Sequence, residues 1–305
     1  MKQIGWCICF SLFLQVSHAQ PGLTPAPPEK IKILSWNIYM LPHFIASHSG
    51  KIERARAIGE TLQSSDYDVI FFQEAFHPRS RKVIINQLIK QFPYHSGPAN
   101  KKTISPITNS GLWIFSKHPI VNSTAIRYKT RYGIDAFSRK GALLVTLNVN
   151  GSLVQVVGTH LQNCGPDWLK KMQCVELYER LLKPQQQLRV PQIICGDFNI
   201  DRYKHAESYK MMLSLLDARD TNADSTSFTY DRVSNQLRNE KGNDQDLIDY
   251  ILVRENGLNL DWSTRVNRFT KRWHRDFDEL SDHYSLQSVI RFQREQHSFA
   301  SIQTN

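Results

Sequence analysis

Pro191-Gln192-Ile193-Ile194-Cys195-Gly196-Asp197-Phe198-Asn199 reads as a short buried strand running straight into a glycine, a carboxylate and an amide. A brief apolar run bounded by turn residues is the pattern of a strand covered on both faces. Packing alone gives no reason to end such a strand on Asp197 and Asn199. Both are therefore candidates for the centre of a phosphate-processing site.

Outward from that strand, the same arrangement recurs. Residues 31–38 alternate as a strand and end on Asn37, and residues 68–74 form an apolar strand that ends on Glu74. Residues 111–116 make a third, stopped by Lys117-His118-Pro119 because proline ends sheet pairing. Residues 141–149 and 153–160 flank Asn150-Gly151, a strong hairpin signal, and the second arm ends on His160. Residues 247–253 and 284–292 complete the set, the last preceded by Leu280-Ser281-Asp282-His283. Helical periodicity covers residues 50–64, 79–92, 167–182 and 206–216. Residues 217–246 are polar and turn-rich, and no strand is assigned between Arg254 and Leu280.

Strands arriving singly or as hairpins, with helices between some of them, predict an α/β (α+β) fold: a two-sheet β-sandwich flanked by helices. A doubly wound parallel sheet would show regular strand–helix alternation and a Gly-rich phosphate loop, and neither is present.

The 305-residue chain opens with Met1-Lys2, an apolar run over residues 4–16 and the small residues of Ser17-His18-Ala19. This is a signal-peptide pattern over residues 1–19, with cleavage before Gln20. The competing reading, a retained anchor, suffers from the shortness of the run, since a span needs about 20 residues. Residues 20–28 are a Pro-rich leader, residues 29–294 a single catalytic domain and residues 295–305 a tail. The expected protein is secreted or periplasmic, a monomer, with no protein partner. Its 38 Lys and Arg against 28 Asp and Glu give a net charge of +10, which suits nucleic acid, anionic lipid or a phosphorylated substrate without choosing among them. Of the five cysteines, Cys7 and Cys9 fall in the signal and Cys195 in the buried strand. Cys164 and Cys174 are left open as a disulfide or two thiols.

Asn37, Glu74, His160, Asp197, Asn199, Asp282 and His283 all stand at strand ends. Asp249 differs, because it lies between Ile248 and Tyr250 in an apolar strand, where a buried carboxylate needs a partner such as a histidine. The carboxylates and amides offer only hard oxygens, a donor set for Mg²⁺ or a similar cation. His283, oriented by Asp249, is a candidate general base on water, and His160 a candidate phosphate contact.

Trp36-Asn37, Gln73-Glu74, Gly196-Asp197-Phe198-Asn199, Ile248-Asp249-Tyr250 and Ser281-Asp282-His283 together resemble the motif set of the endonuclease/exonuclease/phosphatase superfamily, in its order. Within it, the runs 36–42 and 68–76, Lys140-Gly141, Gly158-Thr159-His160-Leu161-Gln162 and Ser281-Asp282-His283-Tyr284 resemble bacterial-type neutral sphingomyelinases C. The resemblance implies hydrolysis of sphingomyelin to ceramide and phosphocholine at a membrane surface. It implies Glu74 as the principal metal ligand, with Asn37 and Asp282 at or near the metal. It also implies phosphate contacts from Asp197, Asn199 and His160, and His283 as base paired to Asp249. A secreted endonuclease of the same fold, acting on nucleic acid, and an inactive lipid- or nucleic-acid-binding module are the alternatives. One departure concerns residues 254–280, short and charged where lytic members carry an extended aromatic hairpin, so lysis does not follow from the motifs.

Overall fold

The computed structural model describes residues 28–42, 45–46, 49–101, 109–133, 138–221, 227–237 and 242–293. The signal stretch, the leader up to residue 27 and the tail lie outside the described residues.

Two six-stranded mixed sheets stack face to face. The first contains β1 (Lys30–Asn37), β2 (Val69–Gln73), β3 (Tyr94–Ser96), β4 (Trp113–Ser116), β13 (Leu260–Asn267) and β16 (Ser285–Phe292), in the order β13-β16-β1-β2-β4-β3. The second contains β5 (Ile120–Arg127), β6 (Gly141–Val149), β7 (Ser152–His160), β8 (Gln192–Asp197), β9 (Arg219–Asp220) and β12 (Asp249–Arg254), in the order β5-β6-β7-β8-β12-β9. Two ribbons, β10 (Tyr230–Asp231) with β11 (Gln245–Asp246) and β14 (Thr270–His274) with β15 (Phe277–Glu279), complete the strands. Helices α1 (Lys51–Leu62) and α2 (Pro78–Leu88) cover the first sheet, while α3 (Asp167–Leu177) and α4 (Ala206–Leu216) cover the second.

Strand alternation decides which side chains meet. On β8, Ile193 and Cys195 enter the core between the sheets, while Ile194 faces the helices. On β1, Ile31 and Ile33 point inward, and Leu34 and Trp36 pack under α1 and α2. Continuing the same period brings Asp197 and Asn37 to the inner face at the rim. Gly158 makes this approach possible: a Cβ there would stand 1.8 Å from the Phe71 ring of the opposite sheet. Any larger residue would force the layers apart.

The structure departs from the sequence reading in several places. β5 was not expected, because as an edge strand it exposes Val121, Asn122 and Ser123 and lacks an apolar signal. Asp249 opens β12 instead of lying within it, since Leu247 and Ile248 belong to the link from β11, where Leu247 N–H donates to Asp201 Oδ2 at 2.8 Å. Helix α2 stops at Leu88, and the helix expected over 167–182 changes to a π-turn at Tyr178–Leu182. The stretch 254–280 carries β13, β14 and β15. Cys164 and Cys174 are separate thiols, one exposed and one buried. Among the described residues, no helix is long and apolar enough to cross a membrane.

Candidate active site

Sheet register sets the floor of the site. Asp197 on β8 pairs with His160 on β7 and with Asp249 on β12, so three polar side chains line up on one face of adjacent strands. Gly196, at φ 146°, lets the strands close here, since a Cβ would stand 1.9 Å from the Thr159 carbonyl oxygen. The first sheet supplies the rest. Asn37 Nδ2 donates to Asp197 Oδ2 across the sandwich at 3.1 Å. Ser281 Oγ donates to the Asn37 carbonyl at 2.6 Å and so fixes the segment that carries Asp282 and His283.

Glu74, His160, Asp197, Asn199, Asp282 and His283 line one cleft of about 500 Å³. Asn37 and Asp249 stand behind that wall, each holding a residue that reaches it. His283 Nδ1 is 2.9 Å from Asp249 Oδ2, and its Nε2 is 3.8 Å from Asp197 Oδ2. Burial pulls the His283 pKa down, but Asp249 and then Asp197 and Asp282 outweigh it and push the value up to about 10. Asp197 itself is pushed up to about 6 by burial and by the Asp249 charge, against the pull of His283 and Lys140.

Lys140 is the site residue to which the sequence reading gave no role. It is buried, and its Nζ lies 2.8 Å from the Leu161 carbonyl and 3.0 Å from His160 Nε2. An ammonium only donates, so it fixes Nε2 as the acceptor and leaves the His160 proton on Nδ1. Burial and the Lys140 charge hold the His160 pKa well below the ordinary value. His160 Nδ1 is buried without a hydrogen-bond partner. The signal for Lys140 lay in its position flush against the apolar run of β6, where a solvated lysine is out of place. Asn199, at φ 52°, turns its amide onto the Leu161 carbonyl at 3.1 Å, which anchors it at the cleft wall.

Glu74 follows β2 with φ 55°, a left-handed turn that the strand pattern did not reveal. Its Oε2 is buried with no hydrogen-bond partner, and burial together with the Asp282 charge pushes its pKa up to about 7. A buried carboxylate raised by the charge of a neighbouring one, with an oxygen left unpartnered, fits a hard cation. Asp197, Asp249 and His283 also offer ligand atoms within 4.8 Å of one another. That cluster is better described as a hydrogen-bonded relay, because Asp249 already takes the imidazole Nδ1. Arg54 lies beneath, fully buried, donating to the carbonyls of Ile38, Tyr39 and Leu280 and tying the segments that follow Asn37 and precede Asp282 to α1.

The class defined by this fold and site is a two-layer sandwich that gathers carboxylates, histidines and amides at one rim. The model of the Endonuclease/Exonuclease/phosphatase family matches residues 34–283, and the chain belongs to that family. Sphingomyelinase C of Leptospira interrogans is 27% identical over 289 residues, covering 85% of this chain and 51% of that protein. The chain thus spans about half the length of that relative. Sphingomyelinase C of Bacillus cereus is 25% identical over 311 residues, covering 90% of this chain and 92% of that protein. A crystal structure of beta toxin from Staphylococcus aureus superposes with a TM-score of 0.78 at 25% identity, covering 85% of this chain and 99% of that one.

Proposed function

We propose that this chain is a secreted phosphodiesterase that hydrolyses sphingomyelin at a membrane surface to ceramide and phosphocholine. The observation that carries the reading is the buried His283–Asp249 pair facing the same cleft as Glu74, Asp197 and His160. The names of the relatives support the substrate, and the signal pattern of residues 1–19 supports export.

In this reading His283 Nε2 takes a proton from water while the water oxygen attacks phosphorus. The bond from phosphorus to the ceramide oxygen breaks, and that oxygen is protonated from solvent. Asp249 holds the imidazole tautomer and stabilises the imidazolium. His160 donates Nδ1–H to a phosphoryl oxygen, Lys140 places positive charge beside it, and Asp197 and Asn199 complete the phosphate and water contacts. Glu74 and Asp282 would hold a divalent cation, Mg²⁺ by the hardness of the donors, with Asn37 behind them fixing Asp197. When bound, the cation would polarise a phosphoryl oxygen, stabilise the leaving alkoxide and offset the carboxylate field that keeps His283 protonated.

The test is to assay purified protein on sphingomyelin, phosphatidylcholine and plasmid DNA, with Mg²⁺ and with EDTA. Release of phosphocholine from sphingomyelin that EDTA stops is the expected result. DNA cleavage without phosphocholine release would move the chain to the nuclease reading, and silence on every substrate to a binding module.

A further inference from the structure

We infer that a second cavity, between α3 and α4, receives an alkyl chain of the lipid whose phosphate occupies the main cleft; this rests on the phosphodiesterase reading above. The cavity holds about 270 Å³ and its apolar wall includes Trp168, Ile200, Met211, Met212 and Leu215. It is separated from the main cleft by one turn of chain. Asn199 and Asp201 line the cleft, Ile200 between them lines the cavity, and His205 lines both. An occupant that passes His205 from the phosphate site therefore meets the apolar side chains of this wall.

The surroundings suit a chain attached to an anionic head. Lys170 and Lys171 stand at the cavity, against the single acid Asp167. Lys170 Nζ donates to the Asn199 carbonyl at 2.5 Å, which places its charge at the junction of the two spaces. Trp168 is 55% exposed and Met211 37%, a cost in water that an alkyl chain would remove. The methionines give the wall an adaptable surface for chains of differing shape. The other aromatic feature, the β14–β15 ribbon, is already closed. Trp273 stacks on Phe277 at 5.5 Å and 11°, donates its indole N–H to the Glu279 carbonyl at 2.7 Å, and packs against the core under α1 and α2.

Two readouts test this, both on the whole protein. The first is kcat/KM with Mg²⁺ on monomeric phosphocholine diesters of increasing chain length. Wild type is expected to gain about fourfold per methylene until the cavity is filled. In Met211→Glu the ratio of long-chain to short-chain rates is expected to collapse. The second is binding in EDTA, using dodecylphosphocholine brominated at the chain end and kept below its micelle concentration. Bromine is expected to quench wild-type tryptophan fluorescence, and Trp168→Phe to lose that quenching. Equal quenching in Trp168→Phe, or rates on diesters that ignore both chain length and Met211→Glu, would overturn the cavity. Quenching at Trp168 without turnover would uphold the cavity and sink the phosphodiesterase reading instead.

Discussion

His283 Nδ1 stands 2.9 Å from Asp249 Oδ2, although the two residues are delivered by different sheets. Asp249 opens β12 in the second sheet, and His283 lies just ahead of β16 in the first. The His283–Asp249 pair therefore exists only when both layers are docked. Asn37 repeats the bridge by reaching Asp197 from β1. The inter-sheet core does more than stabilise the molecule: it sets the distance between the His283 imidazole and the Asp249 carboxylate.

Replacing His283 with Ala is expected to lower kcat by about 10²–10⁴-fold, the usual worth of a positioned base, with little change in the melting curve. Asp249→Asn keeps the shape but offers the wrong partner to Nδ1, and should lose a smaller part of the same activity. Steady-state kinetics beside circular dichroism checks both. Near-normal turnover in His283→Ala would remove it from the chemistry.

Glu74→Gln keeps the volume and removes the charge that, with Asp282, would attract a cation. The Mg²⁺ concentration for half-maximal activity is expected to rise by about tenfold or more, as for loss of a strong charged ligand. Stripping the wild type with EDTA should abolish activity, and Mg²⁺ should restore it. An unchanged metal titration in Glu74→Gln would move the cation elsewhere.

Much of this arrangement was legible in the sequence, because strand ends are legible. Asn150-Gly151 marks its hairpin, with Asn150 and Gly151 both at positive φ, and the register then carries His160 to the rim beside Asp197. What stayed hidden lacked a local pattern. β5 shows no apolar alternation because one edge of it meets water. Lys140 adjoins the apolar run of β6, but its partner His160 is reached only when β6 and β7 pair. The left-handed turn at Glu74 depends on the close approach of Gly111, where a Cβ would stand 3.0 Å from Glu74 Cα. That is a tertiary contact invisible to a window of neighbours.

Lys140→Met tests the second electrostatic relationship. Removing the ammonium lowers the cost of an imidazolium at His160, so its pKa should rise. It should stay below the ordinary value, because burial is the larger cause of the depression. Histidine NMR titration reads this directly. A loss of about 10²-fold in kcat/KM is expected for a missing oxyanion-facing charge. An unmoved His160 resonance would mean that the two side chains are not in contact in solution.

Asp220 offers a test of the fold away from the cleft. Its carboxylate accepts from the Tyr209 hydroxyl at 2.7 Å, with Arg202 at 3.6 Å, and burial, stronger than both, pushes its pKa up to about 6 from 3.8. The folded state then keeps a proton that the unfolded chain has already released. Stability should therefore fall as pH rises from about 4 through about 6, and stay level above that, by on the order of 3 kcal/mol at most. Asp220→Asn stays neutral and its carbonyl still accepts from Tyr209. It should match the wild type near pH 4 and exceed it at pH 7 in urea denaturation. If wild type and Asp220→Asn lose stability in parallel over that range, the carboxylate at Asp220 is ionised in the folded protein, and Arg202 outweighs its burial.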